Sequence, residues 1–214
     1  MSQPKIAIVL FNLGAPDSPA AVRPFLMNLF TDPAILRVPF FVRPLLARLL
    51  DVLSEATLEY LSAQIDAGVD AVMLFDSWAG VLSPALFRAH VIGPTARIVA
   101  ALRARHPGVP VIGFPRLAGM LIGEYAVATQ VQGVGLDTAA DPALAATLVP
   151  TGVALQGNLD PLALVAGGAA METEAREIVT ALRGRPHIFN LGHGIVPETP
   201  IENVSRLVNA VRTA

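Results

Sequence analysis

The stretch AVMLFDSWAG, Ala71–Gly80, decides the fold class of this chain. It opens as a continuous apolar run that ends at two polar residues, Asp76 and Ser77, shortly before a glycine. An apolar run bounded by turn-forming residues is typical of a buried β-strand. We therefore predict a strand over Asp70–Phe75, with polar side chains at the point where the strand ends.

Similar apolar runs recur along the rest of the chain. They cover Val109–Phe114, Gly133–Leu136, Gly152–Leu155 and His187–Leu191. Segments of helical composition lie around them, over Pro44 to about Ala67, Pro84–Arg105 with a break near Gly93-Pro94, Ala118–Gln130, Glu172–Arg183 and Ile201–Arg212. Strands that alternate with helices predict a mostly parallel sheet covered by helices. Both a doubly wound sheet and a barrel satisfy this pattern.

The N-terminal stretch KIAIVLFNLGAPDSPAAVRPFLMNLFTDPAIL, Lys5–Leu36, contains one more apolar run. That run, Ile6–Leu13, is closed by Gly14 and predicts another buried strand. Ser18-Pro19 then predicts the start of a helix. The length of 214 residues fits one large domain or two small ones.

Composition excludes several classes of function. Charged residues make up 15% of the chain, below the roughly 25% typical of soluble domains. The net charge of −2 gives no broad basic field, so we expect no nucleic-acid partner. The absence of Cys excludes disulfides and thiolate metal sites, and it fits a reducing compartment. The opening Met-Ser-Gln-Pro-Lys does not look like a signal peptide, so we expect a cytoplasmic location.

The most apolar window, Pro33–Leu50, is interrupted by arginines and prolines, so we predict no membrane-spanning segment. Two interpretations of residues 37–50 remain open. The segment is either a basic amphipathic surface that contacts a membrane peripherally, or a core-facing helix with solvated arginines.

Polar residues at strand ends are the candidate site residues, because ligands of parallel α/β proteins bind beyond the carboxyl ends of the strands. His193 follows a strand in HIFNLGHGIVPET, His187–Thr199. Gln156 and Asn158 follow another in ALQGNLDP, where Asp160 also suits a helix cap. A His in a glycine-rich turn is often structural, and a single strand-end carboxylate such as Asp76 often caps a turn. No nucleotide fingerprint or metal-ligand spacing occurs, so we expect no cofactor and no metal.

The segments AVMLFDSWAG, ALQGNLDP and HIFNLGHGIVPET together resemble the C-terminal half of the uroporphyrinogen decarboxylase family, over residues 51–214. That family has a distorted (β/α)8 barrel and removes carboxyl groups from the acetate arms of a tetrapyrrole without a cofactor. Lys5–Leu36 resembles the opening of the ferrochelatase family, which has a flavodoxin-like fold. The resemblances imply an α/β chain: a ferrochelatase-like β-α segment over residues 1–50, then a partial TIM-barrel-like parallel sheet with helices over residues 51–214.

The resemblance also implies a site and a substrate. In the decarboxylase family, the residues that match Ser77 and His193 lie against the substrate and can bind its carboxylates. The implied substrate is uroporphyrinogen III, which is converted to coproporphyrinogen III by a carboxy-lyase reaction. Our substrate-binding candidates are Ser77, His193, Gln156, Asn158 and Asp76, with Asp137 weaker.

Part of the family's catalytic machinery has no counterpart in this sequence. The family's arginine loop of the form R-Q-A-G-R and its pyrrole-binding aspartate find no match, so we assign no catalytic residue. Three hypotheses stay open: a decarboxylase-type enzyme or fragment, a non-catalytic tetrapyrrole-binding protein, and an inactive fusion remnant. Six strands leave an eight-stranded barrel open, and unpaired sheet edges invite association, so we expect a homo-oligomer or else a poorly soluble monomer.

Overall fold

Five parallel strands form the central sheet of the protein. A computed structural model describes residues 43–214. The strands in this range are β1 Val72–Asp76, β2 Val111–Pro115, β3 Gly133–Gly135, β4 Ala154–Gln156 and β5 His187–Ile188. They lie side by side in chain order, and each is parallel to the next. The predicted parallel sheet, with its strands ordered by sequence, is confirmed.

Helices precede and follow the strands. They are α1 Arg43–Asp66, α2 Pro84–Phe87, α3 Gly93–Arg105, α4 Ile122–Thr129, α5 Pro142–Leu148, α6 Pro161–Ala166, α7 Gly168–Ala181 and α8 Ile201–Arg212. The predicted break near Gly93-Pro94 takes the form of a π-helical turn, Arg88–Ile92, between α2 and α3. Proline cannot donate a backbone hydrogen bond to the preceding turn, and a wider turn accommodates that loss.

Two short helices begin with the same pair of residues, Asp-Pro. The Asp160 carboxylate accepts a hydrogen bond from the Leu162 N–H at 2.8 Å, so its predicted role as a helix cap is confirmed. Asp141 caps α5 in the same way, through the N–H groups of Ala143 and Leu144. The sequence analysis did not predict α5, although its Asp-Pro start is a recognised helix signal.

The sheet has two apolar faces, because successive side chains of a strand point to opposite sides. Val72 and Leu74 of β1 lie in the main core with the helices. Met73 belongs instead to a second, smaller cluster with Ile112 and Phe114, against which Phe75 and Ile188 also pack. We call this second side the inner face, and the candidate site lies on it.

Several predictions concern residues outside the described range. These are the strand Ile6–Leu13, the helix start at Ser18-Pro19 and the surface segment over residues 37–42. The remaining part of that segment, residues 43–50, forms the beginning of α1.

Among the described residues, one helical stretch, Pro84–Arg105, has the length and apolar composition of a membrane-crossing helix. Its side chains Phe87, Val99 and Leu102 are buried in the main core. Packing against the sheet therefore accounts for the apolar side of this stretch.

Tyr125 on α4 holds the helix layer against β2. Its side chain is fully buried, and its ring meets that of Phe87 edge to face, with the centroids 6.4 Å apart. Burial raises the pKa of the Tyr125 phenol, which keeps the hydroxyl protonated. The phenol lies directly over Gly113 of β2, where a side chain would overlap it.

We predict that Gly113→Ala lowers the free energy of unfolding by about 1–3 kcal/mol, because the added methyl group overlaps the buried Tyr125 ring. Urea denaturation measures the change. The control is Gly152→Ala, since no atom lies within 4 Å of the methyl group added there. Equal stabilities for the two variants would contradict the assigned packing.

Candidate functional site

A cavity of about 460 Å³ opens on the inner face of the sheet. Met73 and Phe75 of β1, Phe114 of β2 and Gly135 of β3 contribute to its lining. The Phe75 and Phe114 rings meet edge to face, with their centroids 5.7 Å apart. The inner strand residues therefore give the cavity an apolar floor that suits a ligand containing apolar rings.

Polar groups from three strand ends complete the lining. Ser77 directly follows β1, Gln156 is the last residue of β4, and His193 lies in the loop after β5. The structure thus brings together three of the five sequence-predicted site residues. His193 carries the one titratable side chain among the described residues that line the cavity. Nowhere in the described part of the chain do three or more His, Asp or Glu side chains form a group that could hold a metal ion.

Gln156 is the most deeply placed of these polar groups. Its residue surface is 3% exposed, and its Oε1 atom has no hydrogen-bond partner in the described structure. Leaving a buried acceptor unpaired costs about 1–3 kcal/mol. An amide can also present either its oxygen or its N–H2 group by rotating about its last bond. Gln156 therefore presents at the cavity a side-chain oxygen that the fold leaves without a hydrogen-bond partner.

Asp76 lies next to Ser77 in the sequence but does not line the cavity. It shares the helix-facing side of β1 with Val72 and Leu74, because side chains alternate along the strand. Its Oδ1 atom accepts a hydrogen bond from the Trp78 N–H at 3.1 Å. Burial raises the pKa of Asp76, and backbone hydrogen bonds partly oppose that shift. The structure gives Asp76 the turn-capping position that the sequence left open as an alternative.

Asn158 also lies outside the lining of this cavity. Its Nδ2 group donates to the backbone carbonyls of Asp137 and Ala140, both at 2.7 Å. The Asp137 carboxylate in turn accepts hydrogen bonds from the N–H groups of Leu117, at 2.7 Å, and Ala139, at 2.9 Å. These two side chains connect the loops that follow β2, β3 and β4. The two side chains therefore fix the positions of these loops without lining the cavity themselves.

The loop that carries His193 is fixed by backbone contacts. The Gly192 N–H donates to the Leu159 carbonyl at 2.8 Å, and the Leu159 N–H donates to the Asn190 carbonyl at 3.1 Å. Gly192 also packs so closely on the backbone of Thr138 that a side chain there would overlap it. Gly194, on the other side of His193, faces open space. Gly192 is therefore the glycine that sets the position of the imidazole.

Asn190 is a cavity residue that the sequence analysis missed. It lines the cavity, and its Oδ1 atom accepts a hydrogen bond from the Leu191 N–H at 2.9 Å. The same Ile188 that packs on the inner face precedes it by two positions. The two-residue period of the strand could have placed Asn190 on that face.

Comparison with known proteins gives a consistent result. The family model "Uroporphyrinogen decarboxylase (URO-D)" matches residues 35–214. The uroporphyrinogen decarboxylase of Granulibacter bethesdensis is 61% identical over 166 residues, which cover 78% of this chain and 48% of that protein. The corresponding protein of Gluconacetobacter diazotrophicus is 61% identical over 165 residues, which cover 77% of this chain and 47% of that protein. The chain thus spans about half the length of these curated relatives.

A solved structure extends the comparison to the fold. A methyltransferase from Methanosarcina mazei superimposes with a TM-score of 0.71 at 22% identity, covering 91% of this chain and 56% of that one. At this identity the likeness concerns the fold alone. It supports the partial barrel-like α/β architecture that the family resemblance implied.

The two glycines around His193 provide a matched test of the site geometry. We predict that Gly192→Ala costs about 1–3 kcal/mol of stability and shifts the NMR resonances of the His193 ring, because the methyl group displaces the loop from Thr138. Gly194→Ala should change neither quantity, since its methyl group meets no neighbour. Equal effects of the two substitutions would show that Gly192 does not set the position of His193.

Proposed function

Because the chain belongs to the uroporphyrinogen decarboxylase family, we propose that it carries the C-terminal half of a porphyrinogen-binding site. The observation that carries the proposal is the convergence of Ser77, Gln156 and His193 on one apolar cavity. The proposed substrate is uroporphyrinogen III, whose acetate arms would lose their carboxyl groups to give coproporphyrinogen III.

The chemistry of the lining supports this ligand class. The apolar floor of Met73, Phe75 and Phe114 suits the rings of a tetrapyrrole. The Ser77 hydroxyl and the His193 imidazole can donate hydrogen bonds to its carboxylate arms. We propose that Ser77, Gln156 and His193 contact the substrate. Asn158 and Asp76 then act on binding through the loops and turns that they hold.

Catalysis needs more than the described cavity supplies. Decarboxylation of a pyrrole acetate requires protonation of the ring carbon, stabilisation of the transient positive charge, and cationic recognition of the carboxylates. No described lining residue carries a carboxylate or a guanidinium group. Each missing group that stabilises transition-state charge costs on the order of 10²–10³ in rate. We therefore propose that this chain binds porphyrinogens and decarboxylates them several orders of magnitude more slowly than a site that contains all of these groups.

A non-catalytic tetrapyrrole-binding protein is the second candidate. The lining favours it, since the described polar residues are neutral donors and acceptors apart from the titratable His193. Under this alternative, these groups hold the tetrapyrrole by hydrogen bonds and apolar contact and do not drive the reaction. An inactive fusion remnant remains the third candidate, and it predicts no tetrapyrrole binding at all.

We further propose a division of the chain. Residues 1–50 would form the ferrochelatase-like segment, and residues 51–214 the decarboxylase-like half-barrel. The family match begins at residue 35 and so overlaps the end of the first segment. On this proposal, the junction between the two parts lies between residues 35 and 51.

The surroundings of the cavity favour association between copies. Trp78, Met120 and Ile195 follow β1, β2 and β5 and are 50%, 67% and 57% exposed. Apolar side chains exposed in neighbouring loops are typical of an interaction surface. We propose that these exposed side chains contribute to a homo-oligomer. We also propose that the protein acts in the cytoplasm, as is expected for a biosynthetic enzyme of this family.

We predict that His193→Ala weakens binding of coproporphyrin III, a stable oxidised probe, about tenfold. The change corresponds to about 1.4 kcal/mol, a reasonable value for one lost hydrogen bond to a carboxylate. Quenching of the porphyrin fluorescence measures the affinity. The control is His90→Ala, because His90 lies in the π-helical turn and does not line the cavity.

Anaerobic conversion of uroporphyrinogen by the unmodified chain completes the test. We expect binding with a turnover several orders of magnitude below that of a complete decarboxylase. Robust turnover would contradict the claim that further groups are required. Failure of the unmodified chain to bind either tetrapyrrole would contradict the proposed function itself.

A further inference from the structure

Arg116 continues the hydrogen-bonded ladder one residue beyond the end of β2. Its N–H donates to the Asp76 carbonyl at 3.0 Å, and its carbonyl accepts a hydrogen bond from the Gly80 N–H at 2.9 Å. Both backbone groups therefore point toward β1 and the loop after it. Along an extended strand, residues two positions apart share one face of the sheet. Because Phe114 lies on the inner face, the Arg116 side chain leaves the backbone on that same face.

A tight turn fixes the backbone at Arg116. The Ala118 N–H donates to the Pro115 carbonyl at 3.1 Å and closes a four-residue turn. Leu117, the third residue, has φ +60°, which is typical of a type II turn, in which the second residue is extended. The Leu117 N–H is held by the Asp137 carboxylate at 2.7 Å. Since leucine disfavours a left-handed conformation, the surrounding contacts maintain this turn and with it the position of Arg116.

The strand register places Arg116 beside Ser77. Asp76 lies opposite Pro115 in the ladder between β1 and β2, so the next residues of the two strands, Ser77 and Arg116, are neighbours. Ser77 and Phe114 both line the cavity. Arg116 is partly buried and follows Phe114 by two positions. Arg116 therefore lies at the mouth of the cavity, further out along β2 than the apolar floor.

The charge of Arg116 distinguishes it from the other polar groups at the strand ends. In the described loops that directly follow β1 to β5, it carries the one guanidinium group. Two carboxylates of this region, Asp76 and Asp137, accept hydrogen bonds from backbone N–H groups. An arginine stays protonated at neutral pH, and its planar fork matches the two oxygens of a carboxylate. This side of the cavity mouth therefore suits a carboxylate of a ligand.

We propose that Arg116, together with the Ser77 hydroxyl, binds one carboxylate arm of the tetrapyrrole at the β1–β2 side of the cavity mouth. The inference rests on the proposed function, which supplies the ligand class. It adds a permanently charged group to a site whose described lining is neutral apart from the titratable His193. Arg116 makes the site prefer a tetrapyrrole with free carboxylates to the same ring with esterified arms.

Two probes separate the effect of the charge from that of the apolar floor. Coproporphyrin III has free carboxylates, and its fully esterified form has the same ring without their charges. Arg116→Met keeps an unbranched stem and removes the guanidinium group. We expect it to weaken binding of coproporphyrin III about ten- to hundredfold, the range for a hydrogen bond between charged groups. Binding of the ester should change less than about twofold. Quenching of the porphyrin fluorescence measures both affinities.

The matched control is Arg103→Met. Arg103 on α3 bonds Gln130, which precedes β3 and so lies toward the amino ends of the strands. The control removes the same charge away from the cavity mouth and should leave both affinities unchanged. Equal losses for the two variants would assign the effect to net charge and overturn the proposal. Unchanged coproporphyrin binding in Arg116→Met would overturn it too and leave the proposed function intact. Failure of the unmodified chain to bind either probe would instead overturn the proposed function.

A double-mutant cycle tests whether Arg116 and Ser77 hold the same arm. Groups that bind one carboxylate are coupled, so the loss caused by Ser77→Ala should be at least about threefold smaller in the Arg116→Met background. The ester should show no such coupling. Independent losses, which multiply in the double variant, would overturn the shared arm.

A measurement on the unmodified chain covers the case in which Arg116→Met does not fold. In the ¹⁵N–¹H spectrum of the arginine side chains, the Nε–H resonance of Arg116 should shift on addition of coproporphyrin III. The ester should shift it less, because it offers no charged acceptor. The Nε–H resonance of Arg103 should not respond to either probe. Equal shifts of Arg116 with both probes, or no shift with bound coproporphyrin III, would overturn the proposal.

Discussion

The hydrogen-bonded register between neighbouring parallel strands determines which side chains reach the cavity. Phe75 lies opposite Phe114, and Gly135 lies opposite Gln156. Because side chains alternate along each strand, this register places all four on the inner face. A slip of one residue in any strand would turn its whole inner set toward the helices. The site therefore depends on strand pairing before it depends on any single polar group.

Gly135 shows how closely the apolar floor is packed. It lies in the middle strand of the sheet, between Phe114 of β2 and Gln156 of β4. A side chain at this position would overlap the Phe114 ring. The missing side chain lets the aromatic ring lie against β3 and leaves space above it for a ligand. The shape of the cavity thus results from one aromatic residue and one glycine on adjacent strands.

The order and direction of the strands could be predicted from the sequence, because each strand is an apolar run separated from the next by a helical segment. The choice between Asp76 and Ser77 could not be made in the same way. Both residues are polar and follow the same apolar run. Which of the two side chains reaches the cavity depends on which face of the sheet each position of β1 presents, and the structure shows that it is Ser77. The position of Asn158 outside the cavity lining could not be predicted either, for a different reason. Gly157, with φ +140°, interrupts the alternation after β4 and turns the Asn158 side chain toward the Asp137 and Ala140 carbonyls.

The central claim is that the inner face and the strand-end polar groups form one tetrapyrrole site. Ring-current shifts in the ¹⁵N–¹H NMR spectrum of the chain, recorded with and without coproporphyrin III, test it most directly. The claim predicts the largest shifts at Ser77, Gly135, Gln156 and His193, with little change at Leu102 on the helix-covered side. Shifts confined to the helix layer or to α1, or none at saturating ligand, would contradict it.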